Sequence, residues 1–258
     1  MRADVYIFSS GYAKSRAAAQ ALISEKAVII NGTVIKKPSE SIDEAADNKV
    51  EIIATQKYVS RGGYKLEYAL DSFSIDPSGL VALDVGASTG GFTDCLLKRG
   101  AKKVYAVDSG IGQLDKSLLV DERVVNIEKY NARNLNKDHF DDKIDMAVMD
   151  VSFISQTLII PSLSSVLDNG AVFISLIKPQ FEVGRSKVGK NGIVKNKTDR
   201  HSAVEAVVSF ADNFGLSCKE VKESVITGGD GNIEYVALFI KDNAHNTDYK
   251  SIIKKLQG

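Results

Sequence analysis

Several residue types are scarce in this 258-residue sequence, and each shortage excludes a class of protein. Its two cysteines, Cys95 and Cys218, cannot form a disulfide framework, so we expect a cytoplasmic protein in a reducing compartment. The four prolines, with 44% hydrophobic and 26% charged residues, argue against a collagen-like or disordered chain. No apolar run approaches the roughly 18–20 residues of a membrane span. The first residues also lack the apolar core of a signal peptide.

An excess of charge of one sign is also missing. The 33 Lys and Arg residues balance the 33 Asp and Glu residues, so the formal net charge is zero. Taken as a whole, this balance argues against a nucleic-acid partner, although the positions of the charges along the chain lead to a different conclusion below. The length allows a small domain joined to a larger one of about 150–200 residues.

Residues 1–56 have the pattern of a small α+β domain. Two short helices are predicted at Asp4–Ser10 and Ser15–Ser24, the second with Ser15 as its N-cap. Asn31-Gly32 between β-branched runs predicts a tight hairpin, because a type I′ turn needs positive φ at both central residues. A further strand is predicted near Val50–Ile53. The polar, glycine-containing residues 57–63 are predicted to be an inter-domain linker.

Residues 64–245 alternate between apolar runs and amphipathic stretches, which indicates a parallel sheet covered on both faces. The predicted strands are Leu80–Val85, Val104–Val107, Val124–Ile127, Ile144–Met149 and Ala171–Ile177. Helices are predicted near Phe92–Lys98, Ile154–Leu167 and Thr198–Phe214. Two last strands, Leu216–Val221 and Glu234–Ile240, have no crossover helix between them and should pair antiparallel. The fold class is therefore α/β, a doubly wound Rossmann-like methyltransferase sheet with an antiparallel last strand. A basic C-terminal tail at 246–258 should form a short surface helix.

A glycine-rich loop leaves the first of these strands and enters a helix, where open parallel sheets bind ligands. Its glycines lack the G-x-G-x-x-G spacing of a dinucleotide site. Gly86-Ala-Ser88-Thr-Gly90 matches the G-x-S-x-G pattern of a hydrolase, but none of the three histidines is in an obvious position to assist it. An S-adenosylmethionine site fits better, because Asp84 suits a cationic ligand and Asp108 suits ribose hydroxyls. The predicted cofactor-binding residues are Asp84, Gly86, Ser88, Thr89, Gly90, Gly91, Phe92 and Asp108. Alternatively, the glycines serve only a tight turn.

Charged residues stand where they would converge beside this loop. Asp150 ends the fourth strand, Lys178 ends the fifth, and Glu234 begins the antiparallel last strand at the same edge. Lys65 lies on the helix that leads into the sheet. Two lysines and two carboxylates suit methylation of a ribose hydroxyl, because a positioned lysine can take or share the proton of this weak acid. A set of structural salt bridges at the sheet edge is the alternative.

The chain lacks the motifs that are typical of methylation at two other acceptor atoms. Methyltransferases acting on a base nitrogen usually carry Asn/Asp-Pro-Pro-aromatic after the fourth strand, where this chain has Asp150-Val-Ser-Phe153. Methylation of pyrimidine carbon-5 needs a cysteine at a strand end, and neither cysteine is in such a position.

Together these residues resemble known families over nearly the whole chain. The FtsJ-like ribose 2′-O-methyltransferases have a Lys-Asp-Lys-Glu tetrad that matches Lys65, Asp150, Lys178 and Glu234 in order and context. The first domain resembles the RNA-binding domain named after ribosomal protein S-four, through Ser15-Arg16, Ala19-Gln20-Ala-Leu-Ile and Val28-Ile-Ile-Asn31-Gly32-Thr-Val. The chain as a whole resembles the TlyA (haemolysin A) family. Besides the stretches above, this resemblance rests on Val59-Ser-Arg61-Gly-Gly-Tyr-Lys65, Asp84-Val-Gly-Ala-Ser-Thr-Gly-Gly-Phe and Leu-Ile-Lys178-Pro-Gln-Phe-Glu-Val-Gly.

The resemblance implies S-adenosylmethionine-dependent 2′-O-methylation of cytidines in bacterial ribosomal RNA. It also implies ribosomal RNA or ribosomal subunits as partners, and we predict no metal site. The family's haemolysin label suggests a membrane-lytic protein as an alternative, but neither an insertion segment nor a secretion signal is visible. A non-catalytic RNA-binding protein is a further alternative, which the intact tetrad and cofactor loop disfavour.

Positive charge that could meet RNA phosphates is concentrated in two places. In the first domain it lies on the second helix and around the hairpin, at Lys14, Arg16, Lys26, Lys36 and Lys37. Residues 183–200 hold six Lys and Arg against the single acid Asp199, and their glycines predict a loop that is mobile until RNA orders it. The predicted RNA-binding residues are Lys14, Arg16, Lys36, Lys37, Arg61, Arg185, Lys187 and Lys190.

Overall fold

The N-terminal part of the chain forms a compact unit of its own. The computed structural model describes residues 1–24, 27–52, 57–228, 231–245 and 247–256. The chain divides into two compact units, Met1–Lys57 and Tyr58–Gly258. Lys26 and Ile53, both named in the sequence-based predictions, lie outside the described residues.

The first unit has two helices and a three-stranded sheet. The helices are α1 (Ala3–Ser9) and α2 (Arg16–Ser24), and the strands are β1 (Val28–Ile30), β2 (Thr33–Val34) and β3 (Val50–Ile52). The central strand β1 pairs antiparallel with both others. Asn31 and Gly32 have φ values of 51° and 79°, which confirms the predicted tight hairpin. The Ala18 N–H donates to Ser15 Oγ at 3.1 Å, as expected for an N-cap.

The second unit is built on a seven-stranded sheet. Its strands are β4 (Val81–Val85), β5 (Lys103–Val107), β6 (Val124–Ile127), β7 (Ile144–Met149), β8 (Leu167–Ile177), β9 (Leu216–Glu223) and β10 (Tyr235–Lys241). They are ordered β6-β5-β4-β7-β8-β10-β9. The first five pair in parallel, whereas β10 lies between β8 and β9 and pairs antiparallel with both. The predicted Rossmann-like sheet with an antiparallel last strand is therefore confirmed.

Helices cover both faces of this sheet. They are α3 (Gly62–Phe73), α4 (Gly91–Lys98), α5 (Lys116–Leu119), α6 (Ile160–Val166), α7 (Lys197–Asp212) and α8 (Tyr249–Lys255). One apolar cluster includes residues of α6, α7 and α8, and a second includes residues of α3, α4 and α5. Along β4, Leu83 belongs to the first cluster and Ala82 to the second, because successive strand residues face opposite ways.

Three segments differ from their predicted structure. The predicted helix Ile154–Leu167 is divided into a 3₁₀ turn, Gln156–Leu158, and α6, because Pro161 has no N–H and fits only the first turn of a helix. Within the predicted linker 57–63, Tyr58 is buried and α3 already begins at Gly62. In the predicted tail, Ile252 and Ile253 of α8 are buried in the first apolar cluster, so α8 is more than a surface helix.

Candidate active site

The carboxyl ends of β4, β5 and β7 meet at Gly86. Its φ of 85° lies in the left-handed region, and a Cβ atom here would lie 2.6 Å from the backbone oxygen of Asp150. The N–H groups of Gly86 and Ala87 both donate to the Val107 carbonyl, at 2.9 and 3.2 Å. Only glycine therefore fits at this position without displacing the strand ends.

Two cavities adjoin the loop, and both are lined by Gly86, Ser88, Asp150 and Ser152. The first cavity, about 410 Å³, also reaches Asp108 and residues 130–132. The second cavity, about 280 Å³, is lined by Arg61, Lys65 and Lys178 and by the start of α4. A ligand that spans Gly86 would therefore lie in both cavities.

Two Lys–carboxylate ion pairs stand at this edge of the sheet. Lys65 Nζ donates to Glu234 Oε2 at 2.5 Å. Only 9% of the Lys65 side chain and 3% of the Glu234 side chain are exposed. Lys178 Nζ lies 2.5 Å from Asp150 Oδ1 and donates to Ser152 Oγ at 2.9 Å. Of the four charged residues, Lys65, Asp150 and Lys178 line the second cavity.

The antiparallel direction of β10 explains why Glu234 reaches this edge. Tyr235, the first residue of β10, pairs with Ile177, the last residue of β8. Glu234 and Lys178 are therefore adjacent extensions of paired strands, as the sequence predicts. Glu234 also lies against Gly228, where a Cβ atom would be 2.6 Å from its Oε1 atom.

Asp84 is fully buried and has an unusual environment for a carboxylate. Thr93 Oγ1 donates to its Oδ2 atom at 2.7 Å, but Oδ1 has no hydrogen-bond partner among the described residues. Burial raises the pKa of Asp84 to about 7, and the nearby carboxylates of Asp150 and Asp108 add to this effect while Thr93 opposes it. Asp84 does not line either cavity, so any effect on a ligand there is electrostatic or is exerted through the loop.

Except for Gly90, the other predicted cofactor-binding residues line one or both of the two cavities. Asp108 lines the first cavity and accepts hydrogen bonds from the N–H groups of Ser88 (2.8 Å) and Gly110 (2.7 Å), which fix the loop to the end of β5. Thr89, Gly91 and Phe92 line the second cavity. Gly90 lines neither; its φ is 92°, and a Cβ atom at this position would lie 2.2 Å from Cδ1 of Leu118 in α5.

The predicted RNA-binding residues have different environments. Lys14, Lys36, Lys37, Arg61, Arg185 and Lys190 are exposed. Arg16 is half-exposed, but its Nε donates at 2.8 Å to Asp4, whose carboxylate is inaccessible and also accepts from Arg2 and Gln20. These hydrogen bonds hold the pKa of Asp4 well below its usual range. Lys187 pairs with Asp199 at 2.9 Å.

One exposed aromatic residue beside the tetrad was not among the predicted site residues. Phe153 follows Asp150 by three residues, is 92% exposed and has a φ of 64°, which is uncommon for a bulky residue. Its ring lies 5.2 Å from that of Phe181, which follows Lys178 by the same interval. An exposed aromatic surface of this kind is typical of base stacking in RNA-binding proteins. Its signal in the sequence is an aromatic residue just after each of two strand ends.

The described ranges lack two further kinds of feature. They contain no helix with the length and apolar composition that crossing a bilayer requires. Within the same ranges, no group of three or more His, Cys, Asp and Glu side chains is arranged to hold a metal ion.

Family models match both units of the chain. An FtsJ-like methyltransferase model matches residues 58–241, and an S4 domain model matches residues 1–47. The methyltransferase match covers all four residues of the tetrad and the whole glycine-rich loop.

Two curated relatives are similar over most of their length. Hemolysin A of Brachyspira hyodysenteriae is 46% identical over 93% of this chain and 100% of its own. TlyA of Mycobacterium tuberculosis, named a 16S/23S rRNA (cytidine-2'-O)-methyltransferase, is 41% identical over 91% of this chain and 87% of its own.

Solved structures agree with these matches. A Streptococcus thermophilus protein assigned by name to the hemolysins superposes with a TM-score of 0.78 at 39% identity, covering 100% of this chain and 95% of its own. An S-adenosylmethionine-dependent methyltransferase from Mesorhizobium loti superposes with a TM-score of 0.51 at 14% identity, covering 68% of this chain and 97% of its own. At that identity the second likeness shows the fold alone.

Proposed function

Because the chain belongs to the TlyA (haemolysin A) family of FtsJ-like methyltransferases, we propose that it methylates a ribose 2′-hydroxyl of ribosomal RNA, at a cytidine, using S-adenosylmethionine. The observation that carries the proposal is the pairing of Lys65 with Glu234 and of Lys178 with Asp150 beside the glycine-rich loop. Structural salt bridges alone would not require two lysines and a carboxylate to line one cavity, as Lys65, Lys178 and Asp150 do.

The charge around the loop supports a cationic cofactor. Asp108 and Asp150 are close enough to Asp84 to raise its pKa, so three acidic groups gather behind and beside Gly86. The sulfonium and ammonium groups of S-adenosylmethionine would offset this negative charge. Gly86, Ser88 and Asp108 would hold the adenosine part in the first cavity, leaving the methyl-bearing part toward the second.

The second cavity is where the ribose hydroxyl would be activated. When bound, S-adenosylmethionine supplies a methyl group whose bond to sulfur breaks as its bond to the ribose oxygen forms. Lys178, oriented by Asp150 and Ser152, would position the hydroxyl. Once its ammonium has released a proton to solvent, the neutral amine would take up the hydroxyl proton as the methyl group is transferred. The more deeply buried Lys65–Glu234 pair would fix the second ammonium group next to it. Holding the oxygen in line with the methyl group supplies much of the remaining acceleration.

Labelled methyl transfer to isolated ribosomal subunits tests this proposal. The unaltered chain should leave a 2′-O-methyl nucleotide that resists nuclease and alkali. Lys178→Ala should lower the transfer rate by at least about a hundredfold, while cofactor affinity measured by calorimetry changes little. Lys219→Ala is the matched control, because Lys219 forms a Lys–Asp pair with Asp242 outside both cavities. Absence of transfer to both subunits and to free ribosomal RNA would refute the proposal.

A further inference from the structure

The basic segment, defined as residues 183–200, follows Lys178 closely, and its sequence predicts a loop that is mobile until RNA orders it. In the structure it contains a 3₁₀ turn at Arg185–Lys187 and then a tight turn. In that turn the Gly189 N–H donates to the Ile193 carbonyl at 3.0 Å, and the Gly192 N–H donates to the Gly189 carbonyl at 2.9 Å. Val194 directly after it is buried. The segment is therefore anchored in the middle, with exposed cations on both sides of the anchor.

The side chain of Asn232 holds this anchor. Asn232 is 1% exposed and lies two residues before Glu234 of the tetrad. Its Oδ1 accepts from the Val194 N–H at 3.0 Å, and its Nδ2 donates to the Gly192 carbonyl at 2.9 Å. The side-chain amide of Asn232 thus makes two hydrogen bonds to the backbone of residues 192–194, as a neighbouring β-strand would. Because the contact is buried, losing it would leave polar backbone groups unpaired.

A second contact reaches the same backbone from α7. Arg200 Nη1 donates to the carbonyls of Val194 (3.2 Å) and Lys195 (2.7 Å). Its Nε donates to the hydroxyl of Tyr235, the residue after Glu234, at 3.4 Å. Arg200 therefore serves the fold, although the sequence places it among the cations of this segment. Both contacts connect the segment to residues that flank Glu234.

We propose that Asn232 is a positioning residue that holds the basic segment at the catalytic edge as a preformed surface for RNA phosphates. This inference rests on the proposed function, because it assigns the segment to the same RNA substrate. Arg185 and Lys190 are exposed and would contact phosphates. A segment that is already ordered loses less conformational entropy when RNA binds. The two hydrogen bonds of the Asn232 side chain, here called the clamp, therefore strengthen RNA binding without touching RNA.

Limited trypsin digestion and steady-state kinetics of the full-length Asn232→Ala variant test the inference. Cleavage after Lys190 and Lys195 should be about tenfold faster than in the unaltered chain, because local opening exposes the segment. The KM for RNA should rise by about tenfold. The kcat and the affinity for S-adenosylmethionine should stay within about threefold, since no residue lining either cavity changes. Asn232→Asp keeps the acceptor for the Val194 N–H but sets a second acceptor oxygen against the Gly192 carbonyl, so it should also speed cleavage and raise the KM for RNA.

Two controls separate this role from a general loss of stability. Asn213→Ala removes an amide at the C-terminal end of α7 that donates to the Ser209 carbonyl, and it should change neither cleavage nor KM. The double variant Arg185→Ala/Lys190→Ala keeps the clamp but should raise the KM for RNA. An unchanged KM in the double variant would overturn the inference even if Asn232→Ala failed to fold.

The result that overturns the role of Asn232 is distinct from failure of the proposed function. If Asn232→Ala lowers the melting temperature but leaves the cleavage rate in the segment and the KM for RNA unchanged, Asn232 is only a structural residue. If the unaltered chain transfers no methyl group to any ribosomal RNA, the proposed function fails instead. The cleavage measurement needs no RNA and still reports whether the clamp exists.

Discussion

Glu234 shows how closely single residues are fitted at this site. Its carboxylate pairs with Lys65 on one side and lies against Gly228 on another, so a Cβ atom at position 228 would be 2.6 Å from Oε1. Glu234 is 2% exposed, so its carboxylate has little room to move without breaking the pair with Lys65. Gly228 is therefore a packing requirement of the tetrad.

Gly228→Ala should consequently lower the rate of methyl transfer by at least about tenfold, because small displacements of a catalytic group have large kinetic costs. The affinity for S-adenosylmethionine should be nearly unchanged, since Gly228 lines neither cavity. Single-turnover transfer and calorimetry measure the two quantities. Thr227→Ala, at the exposed neighbouring position, is the control. Full activity of Gly228→Ala would show that Glu234 can move without loss of function.

Burial of the Asp84 carboxylate beside the glycine-rich loop lowers the stability of the folded chain when Asp84 is ionised. Because its pKa in the folded chain is raised to about 7, the folded chain is destabilised as pH rises from the unfolded value near 4 through 7. Asp84→Asn stays neutral, so its gain in unfolding free energy should be roughly 2–3 kcal/mol larger at pH 8 than at pH 5. Urea unfolding at the two pH values measures this difference. An equal gain at both would contradict the raised pKa.

The same variant should bind S-adenosylmethionine more weakly at pH 8, because the negative charge that offsets the cationic cofactor is gone. Calorimetry on Asp84→Asn and on the unaltered chain compares the two affinities directly. If Asp84→Asn is more stable but binds S-adenosylmethionine more weakly, the Asp84 charge that destabilises the fold is also the charge that favours cofactor binding.

Residue-level prediction from the sequence works where a strand end determines the position. Asp150 and Lys178 come directly after neighbouring parallel strands, so their proximity is predictable from the alternation of strands and helices. The sequence says less about which cations make hydrogen bonds within the fold. The pairing of Arg16 with the buried Asp4 depends on how α1 and α2 pack, and the contact of Arg200 with Val194 depends on the course of the basic segment. Neither partner has a distinctive sequence pattern.

Among the elements of the fold, the strands of the sheet were the easiest to predict. The central strands, such as β4 and β7, are largely buried on both faces and appear in the sequence as nearly continuous apolar runs. The edge strands β6 and β9 are partly exposed. The place of β10 between β8 and β9 was not predictable, because antiparallel pairing of the last two strands is compatible with either order at the edge. The start of β8 at Leu167 was also missed, since Gly170, with a φ of 90°, interrupts its pairing with β7.

Helix α8 has a larger effect on stability than its basic composition suggests. Ile253 is 7% exposed and belongs to the apolar cluster formed with α7 and the sheet. Ile253→Ala should lower the free energy of unfolding by about 2–4 kcal/mol, through lost burial and the cavity that remains. Lys254→Ala, at the exposed next position of the same helix, should change it by less than about 0.5 kcal/mol. Equal effects of the two substitutions in urea unfolding would show that α8 is not packed.

At the scale of the whole molecule, a net charge of zero does not exclude an RNA partner. Many of the charges form ion pairs within the chain, and one of these pairs, Lys65 with Glu234, is buried. The basic segment and the hairpin of the first unit keep exposed cations, and local fields of this kind, not the total charge, attract phosphates. A protein of this kind should therefore bind RNA with a strong dependence on salt despite its neutral composition.

Measuring that dependence counts the phosphate contacts of the first unit. Lys36 and Lys37 are exposed, and their backbone N–H groups donate to Glu40, so alanine at either position leaves the local turn intact. If both lysines contact phosphates, Lys36→Ala/Lys37→Ala should reduce the slope of log K against log salt by about 1.4–1.8. Cofactor affinity should not change. Lys49→Ala, which removes an exposed lysine already paired with Glu51, should leave the slope unaltered. An unchanged slope in the double variant would show that RNA does not bind at the hairpin.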